Sequence, residues 1–127
     1  MATILLVEDN EMNRDMLSRR LVRHGFNVIG SVDGVRGVQQ AAAMEPDLIL
    51  MDLGMPLMDG WEALQRLRSS AATHKIPVIA LTAHATVSDR DRALQAGFDG
   101  FAAKPVEFQK LLELINDILN SSSRVTL

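Results

Sequence analysis

LILMD, residues 48–52, sets four aliphatic side chains in succession and ends on an acid. Apolar residues at consecutive positions, without polar alternation, mark a strand covered on both faces, the pattern of a parallel sheet between two layers of helices. Short runs of the same kind stand at Ile4–Val7, Asn27–Ser31, Val78–Leu81 and, more weakly, Phe101–Ala103. Between them the apolar spacing is helical, over Glu11–His24, Val35–Met44, Trp61–Ser69, Asp89–Ala96 and Glu107–Asn120. In the last of these, Phe108, Leu111, Leu112, Ile115, Ile118 and Leu119 form one stripe, while Glu107, Lys110, Glu113 and Asp117 take the other faces. Pro105 signals its start. Ser88 is placed to cap the fourth helix, with Asp89 and Asp91 in the first turn, and Gly97 and Gly25 supply helix stops. Strict strand–helix alternation predicts right-handed βαβ units, hence an α/β fold of (βα)5 type with a doubly wound parallel sheet. The flavodoxin-like strand order 2-1-3-4-5 is an expectation taken from sheets of this class, not from the pattern itself.

At 127 residues the chain is the size of one ordinary domain, and 47% hydrophobic with 23% charged residues is a globular composition. Thirteen basic against sixteen acidic residues give a net charge of -3, the wrong sign for a partner made of phosphate backbone. Without cysteine there is no disulfide framework, zinc–thiolate site or thiol nucleophile. No apolar run approaches the ~20 residues of a membrane helix, and no basic segment precedes a long apolar one at the N-terminus. One domain over residues 1–120 with a polar, frayed tail over 121–127 is expected, located in the cytoplasm, with no direct nucleic-acid or membrane contact.

In doubly wound sheets ligands bind outside the carboxyl ends of the strands, at the switch in strand order. The residues there are Glu8 and Asp9 after strand 1, Asp52 after strand 3, Thr82 after strand 4 and Lys104 after strand 5. If strands 1 and 3 are neighbours, three carboxylates share one small site, and like charges that close call for a hard divalent cation. Mg2+ is expected, held by Asp9 and Asp52 with Glu8 through water. A lysine and a hydroxyl beside them complete a set suited to phosphoryl transfer onto a carboxylate, with Asp52 as the nucleophile. Singly, each has a plainer explanation: an acid after a strand is commonly a helix cap, a threonine a strand former, a lysine a surface charge. The set carries the argument. Asp59, before Gly60, reads as a turn or cap. His84 and His74 read as loop residues, His24 as a charge at a helix end, and the seven methionines as core filler, with a secondary docking role for Met12 and Met16.

Four segments, ILLVEDN at 4–10, LILMDLGMPLMDG at 48–60, VIALTAHA at 78–85 and GFDGFAAKPV at 97–106, together resemble the receiver domain of two-component response regulators, from about Thr3 to Asn120. The resemblance implies an acidic pair at Glu8 and Asp9, a phosphorylated Asp52, a switch hydroxyl at Thr82, a switch aromatic at Phe101 and the conserved-type lysine at Lys104. It further implies a Mg2+ contact from the Gly54 backbone carbonyl and a cis peptide bond before Pro105. Phe101 replaces a tyrosine that some members carry, so burial alone would drive that part of the switch. By the same resemblance, Gly54 and His84 occupy variable positions that flank the path of a hydrolytic water, and Asn10 and Asn13 give the EDNxxN version found in hybrid-kinase and free-standing receivers.

The function so implied is a phosphorylation-switched receiver, not an enzyme beyond its own phosphorylation and slow dephosphorylation. A sensor histidine kinase or histidine phosphotransfer protein would donate to Asp52. The surface of helix 4, strand 5 and helix 5 would then change to control a downstream protein target, as the loop Ala83–Val87 repacks. The alternative, a Mg2+-dependent aspartyl-phosphate phosphohydrolase, needs a second acid two residues after the nucleophile, where Gly54 stands. A flavin mononucleotide carrier needs a phosphate loop where Glu8-Asp9-Asn10 would repel it. Met1 at the start and no output segment after Asn120 favour a free-standing regulator over an excised receiver.

Overall fold

The consecutive aliphatic residues of 48–52 are covered on both faces in the computed structural model, which describes residues 2–125: every residue of that strand is buried. Elements alternate as β1 (Thr3–Val7), α1 (Glu11–Arg23), β2 (Asn27–Ser31), α2 (Gly34–Met44), β3 (Leu48–Asp52), α3 (Gly60–Arg68), β4 (Val78–Thr82), α4 (Val87–Ala96), β5 (Gly100–Ala103) and α5 (Phe108–Val125). All strand pairs are parallel, in the order β2-β1-β3-β4-β5. Because successive side chains of a strand point to opposite faces, the sheet divides its apolar residues between two cores. Leu5, Val7, Ile49, Met51 and Ala80 pack with Leu64 and Leu67 of α3 and Ala41 of α2, whereas Ile4, Leu6, Leu48, Leu50 and Leu81 pack with Leu21 of α1 and Leu111 and Ile115 of α5.

β2 departs from the expected double burial. Asn27 and Gly30 are exposed and Val28 and Ile29 half-buried, because an edge strand has a neighbour on one side only. The helix starts are set by side-chain oxygens accepting from backbone amides of the first turn: Asn10 from Asn13, Asp33 from Arg36, Asp59 from Glu62. Ser88 does not cap α4. Thr86 does, its Oγ1 accepting from the Asp89 amide at 3.1 Å and donating to Asp89 Oδ2 at 2.8 Å, which moves the helix start two residues earlier. α5 likewise passes the expected end at Asn120 and runs to Val125, since no glycine or proline interrupts it; the rest of the expected tail, 126–127, lies outside the described residues.

Two glycines have a positional reason. Gly97 ends α4 at φ 112°, a conformation costly for a residue with a Cβ. A Cβ on Gly60 would fall 2.7 Å from the Asp52 carbonyl oxygen, so only glycine lets α3 start directly against the end of β3.

At the opposite end of the sheet, Arg68 closes α3 by donating to the carbonyls of Ile76 (2.7 Å), His74 (3.1 Å) and Gly97 (3.0 Å) and to Asp99 (2.9 Å). The same Asp99 oxygen accepts from the Val78 amide. With Asp99 43% exposed, the ion pair itself contributes little. The carbonyls left without a donor matter more, so Arg68→Ala is expected to cost about 2 kcal/mol, seen as a lower urea midpoint with unchanged slope. An unchanged midpoint would mean that water replaces the guanidinium without loss.

Candidate functional site

Parallel pairing brings the carboxyl ends of all five strands to one side, and register sets which residues meet there. Val7 pairs with Met51, so Glu8 follows one strand where Asp52 closes the next, and Asp52 pairs with Leu81, one residue before Thr82. Backbone bonds carry the ladder beyond the strand ends, from the Glu8 amide to the Ser31 carbonyl (3.0 Å) and from the Lys104 amide to the Thr82 carbonyl (2.7 Å). The expected neighbourhood of strands 1 and 3 is therefore present, and one carboxylate oxygen from each of Glu8, Asp9 and Asp52 lies within 4.8 Å of the others. Glu8 and Asp52 are buried; Asp9 is exposed.

Lys104 joins the two buried acids. Its Nζ stands 2.8 Å from Glu8 Oε1 and 3.0 Å from Asp52 Oδ2. The site thus has a cation of its own among its three carboxylates. Burial pulls the lysine pKa down, but the hydrogen bonds and charges of Glu8 and Asp52 outweigh it and hold the amine above its ordinary 10.5. Glu8 is also raised, from 4.5: burial is the main cause, its bond to Lys104 opposes this, and the neighbouring Asp52 adds to the rise. One lysine therefore offsets only part of what it costs to keep two carboxylates charged out of water.

The loop after β1 is fixed by Arg14, whose Nη1 donates to the Glu8 carbonyl at 2.7 Å, and by the Asn10 amide donating to Glu8 Oε2 at 3.2 Å. The Gly54 amide donates to Asp52 Oδ1 at 3.1 Å, so the loop after β3 wraps around the acid. Thr82 is buried, and its hydroxyl oxygen accepts from the His84 amide at 3.0 Å. Phe101 is half-buried against the core on the α3 side, and the Lys104–Pro105 peptide is cis. His84 is exposed, as a loop residue should be, and Asp59 is a cap. The methionines divide: Met51 and Met55 fill the core, whereas Met12 (71% exposed), Met16 (52%) and Met44 (56%) do not. Met16 instead borders a cavity of about 490 Å3 shared with Leu17, Lys104, Pro105 and Val106.

A donor set made only of carboxylate oxygens, close together and partly open to solvent, suits a hard oxygen-seeking cation such as Mg2+ and no soft one. A second cavity, of about 510 Å3, also reaches Lys104 and opens onto Asp52, bounded by Gly54, Thr82, His84, Trp61 and Arg92. Trp61 and Arg92 carried no signal in the sequence: α3 and α4 bring them together, and no local spacing announces such a contact. Arg14 was hidden for the same reason, since its acceptor is a backbone carbonyl.

The family described as "Response regulator receiver domain" matches residues 4–116. The chain is 34% identical over 125 residues to the DNA-binding dual master transcriptional regulator RpaA of Synechocystis, covering 98% of this chain and 52% of RpaA. It is 32% identical over 120 residues to the polar-differentiation response regulator DivK of Brucella ovis, covering 94% of this chain and 98% of DivK. It spans about half the length of the first curated relatives it matches. Among solved structures, the receiver domain of a sensor histidine kinase from Pseudomonas aeruginosa, described with magnesium coordinated in its active-site cleft, superposes with a TM-score of 0.86 at 35% identity. That likeness covers 94% of this chain and 98% of the other.

Proposed function

Since the chain belongs to the response regulator receiver domains, we propose that it takes a phosphoryl group onto Asp52 from a histidine-phosphorylated donor and thereby switches a protein-binding surface. The observation that carries this reading is the double contact of Lys104 with Glu8 and Asp52 at the carboxyl ends of β1 and β3. It holds a buried carboxylate beside a cation that a phosphoryl group can recruit in turn. Asp9, Asp52 and the Gly54 carbonyl would hold Mg2+, with Glu8 acting through water. When bound, the ion supplies charge neutralisation at the phosphoryl oxygens.

Asp52 oxygen forms the new bond to phosphorus while the bond from phosphorus to the donor imidazole nitrogen breaks; its electron pair stays on that nitrogen, and a proton on the other ring nitrogen lets the imidazole leave neutral. The product carries more negative charge than Asp52 alone, so Lys104 turns from Glu8 towards it, and the Thr82 hydroxyl leaves the His84 amide to donate to it. Movement of Thr82 frees space on the core side, into which Phe101 turns by burial alone. The surface that changes is α4, β5 and the exposed face of α5, offered to a protein target. The donor is a sensor histidine kinase or a histidine phosphotransfer protein, and we place the chain in the cytoplasm; no helix among the described residues is long and apolar enough to cross a membrane. A phosphohydrolase of the aspartyl-phosphate type is disfavoured because Gly54 offers no acid two residues after Asp52.

The test is intact mass after incubation with acetyl phosphate. One phosphoryl group should be gained with Mg2+ and almost none under chelator. Equal labelling in both conditions would refute the metal assignment.

A further inference from the structure

Trp61 and Arg92 meet on the wall of the cavity that opens onto Asp52, and the chemistry above uses neither. The Arg92 guanidinium carbon lies 4.3 Å from the centroid of the indole ring. Trp61 is backed in turn by the buried Phe98, edge to face, with centroids 5.6 Å apart. The indole is half-buried and held from behind, while Arg92 is exposed on its outer side. Arg92 forms no ion pair among the described residues. Asp89, one turn earlier on α4 and bordering the same cavity, has its carboxylate engaged by Thr86.

An arginine laid on an aromatic face is oriented without being neutralised, and it keeps its fork of N–H donors. Lys104, deeper in the site, already shares its charge between Glu8 and Asp52. Arg92 is thus an uncommitted cation on the outer wall. The cavity, about 510 Å3, exceeds what a phosphoryl group needs and has room for the leaving group of a small donor. Phosphoryl transfer is in line, so when Asp52 attacks from the cavity floor the leaving group points outward, to the wall where Arg92 stands.

We propose that Arg92, presented by Trp61, is the residue through which this receiver accepts small phosphodonors of the acyl phosphate class, by pairing with the acyl oxygens. In the step, the Asp52 oxygen bonds to phosphorus and the bond from phosphorus to the acyl oxygen breaks. Its electron pair stays on that oxygen, which departs as carboxylate against the guanidinium; no proton is required. A donor that leaves as a neutral amine gains nothing from Arg92.

The inference rests on Asp52 as the phosphoacceptor, and the experiment separates the two. Labelling is followed by intact mass, in Mg2+, with acetyl phosphate and separately with phosphoramidate, for the native chain, Arg92→Gln and Arg92→Lys. Arg92→Gln should slow labelling by acetyl phosphate roughly threefold to tenfold, the range for a charge-assisted bond at an exposed site, and leave phosphoramidate unchanged. Arg92→Lys, which keeps the charge, should fall between. A second readout needs no transfer. Trp61 is the only tryptophan and the chain has no tyrosine, so in Asp52→Asn protein the emission should change as acetyl phosphate is added, and the response should vanish when Arg92→Gln is combined. If the native chain labels and Arg92→Gln labels equally fast with acetyl phosphate, or slows equally with both donors, the inference is overturned while the receiver reading stands. If the native chain gains no mass with either donor, both fall.

Discussion

Asp52→Asn is expected to abolish phosphoryl transfer while leaving the fold intact. The amide keeps the size of the side chain and an oxygen that accepts from the Gly54 amide, so the loop wrapped around it survives. What it loses is the nucleophile, together with one of the charged oxygens proposed for Mg2+. No other carboxylate can take over. Glu8 is buried with one oxygen on Lys104 and the other on the Asn10 amide, and Asp9 is exposed and forms no ion pair with Lys104. In the acetyl phosphate assay the mass gain should drop below detection, a loss of at least about a hundredfold for removal of a nucleophile. Stoichiometric labelling of the variant would show that another residue is the acceptor.

The second large effect belongs to Lys104. In chelator, Lys104→Met removes the cation that bridges two buried carboxylates, leaving a broken buried pair worth about 2 to 4 kcal/mol at pH 7, or a fall in Tm of roughly 8 to 15 °C. Its pH dependence has a definite sign. Without the lysine, Glu8 keeps the two influences that raise it, burial and Asp52, and loses the main one that lowers it. A carboxyl raised in the fold contributes stability below its unfolded value near 4.5 and loses that contribution as pH rises through its folded value. The deficit of the variant should therefore be small below about pH 4.5 and open towards neutrality, when measured by urea unfolding across that range. In the native chain the raised lysine gives the opposite boundary: its contribution is present below 10.5 and is lost as pH climbs past its folded value. A deficit that stays constant from acid to neutral pH would mean that Lys104→Met acts through packing and not through charge.

Much of the candidate site was legible because it lies at strand ends. An aliphatic run is read from its own residues, and the residue that terminates it is placed by that reading alone; this is how Glu8, Asp9, Asp52, Thr82 and Lys104 could be assembled. What Lys104 touches was not legible. The expectation of three mutually repelling acids holds for their proximity, within 4.8 Å, but a lysine at a strand end does not show which of those acids it bonds. Ser88 misled as a cap because Ser and Thr are equally good ones, and local sequence does not say which turn of a loop becomes helical. The carbonyls that Arg68 binds were invisible because backbone acceptors leave no residue signature, and its side-chain partner Asp99 stands 31 residues away with no spacing to announce it.

The sequence by itself determined the alternation of strands and helices, the double burial of β1, β3 and β4, and the set of chemical groups at the strand ends, because burial and periodicity act over a few neighbouring residues. It did not determine the strand order, which was an expectation until the pairing of β1 with both β2 and β3 was seen. Only the tertiary structure decided that β2 is a half-exposed edge, that Lys104 bridges Glu8 and Asp52, and that Arg92 lies on Trp61 above the cavity. Those contacts join residues from different elements, and their geometry is fixed by how the helices settle on a twisted sheet, a packing outcome shared among many weak interactions and encoded in no short stretch of chain.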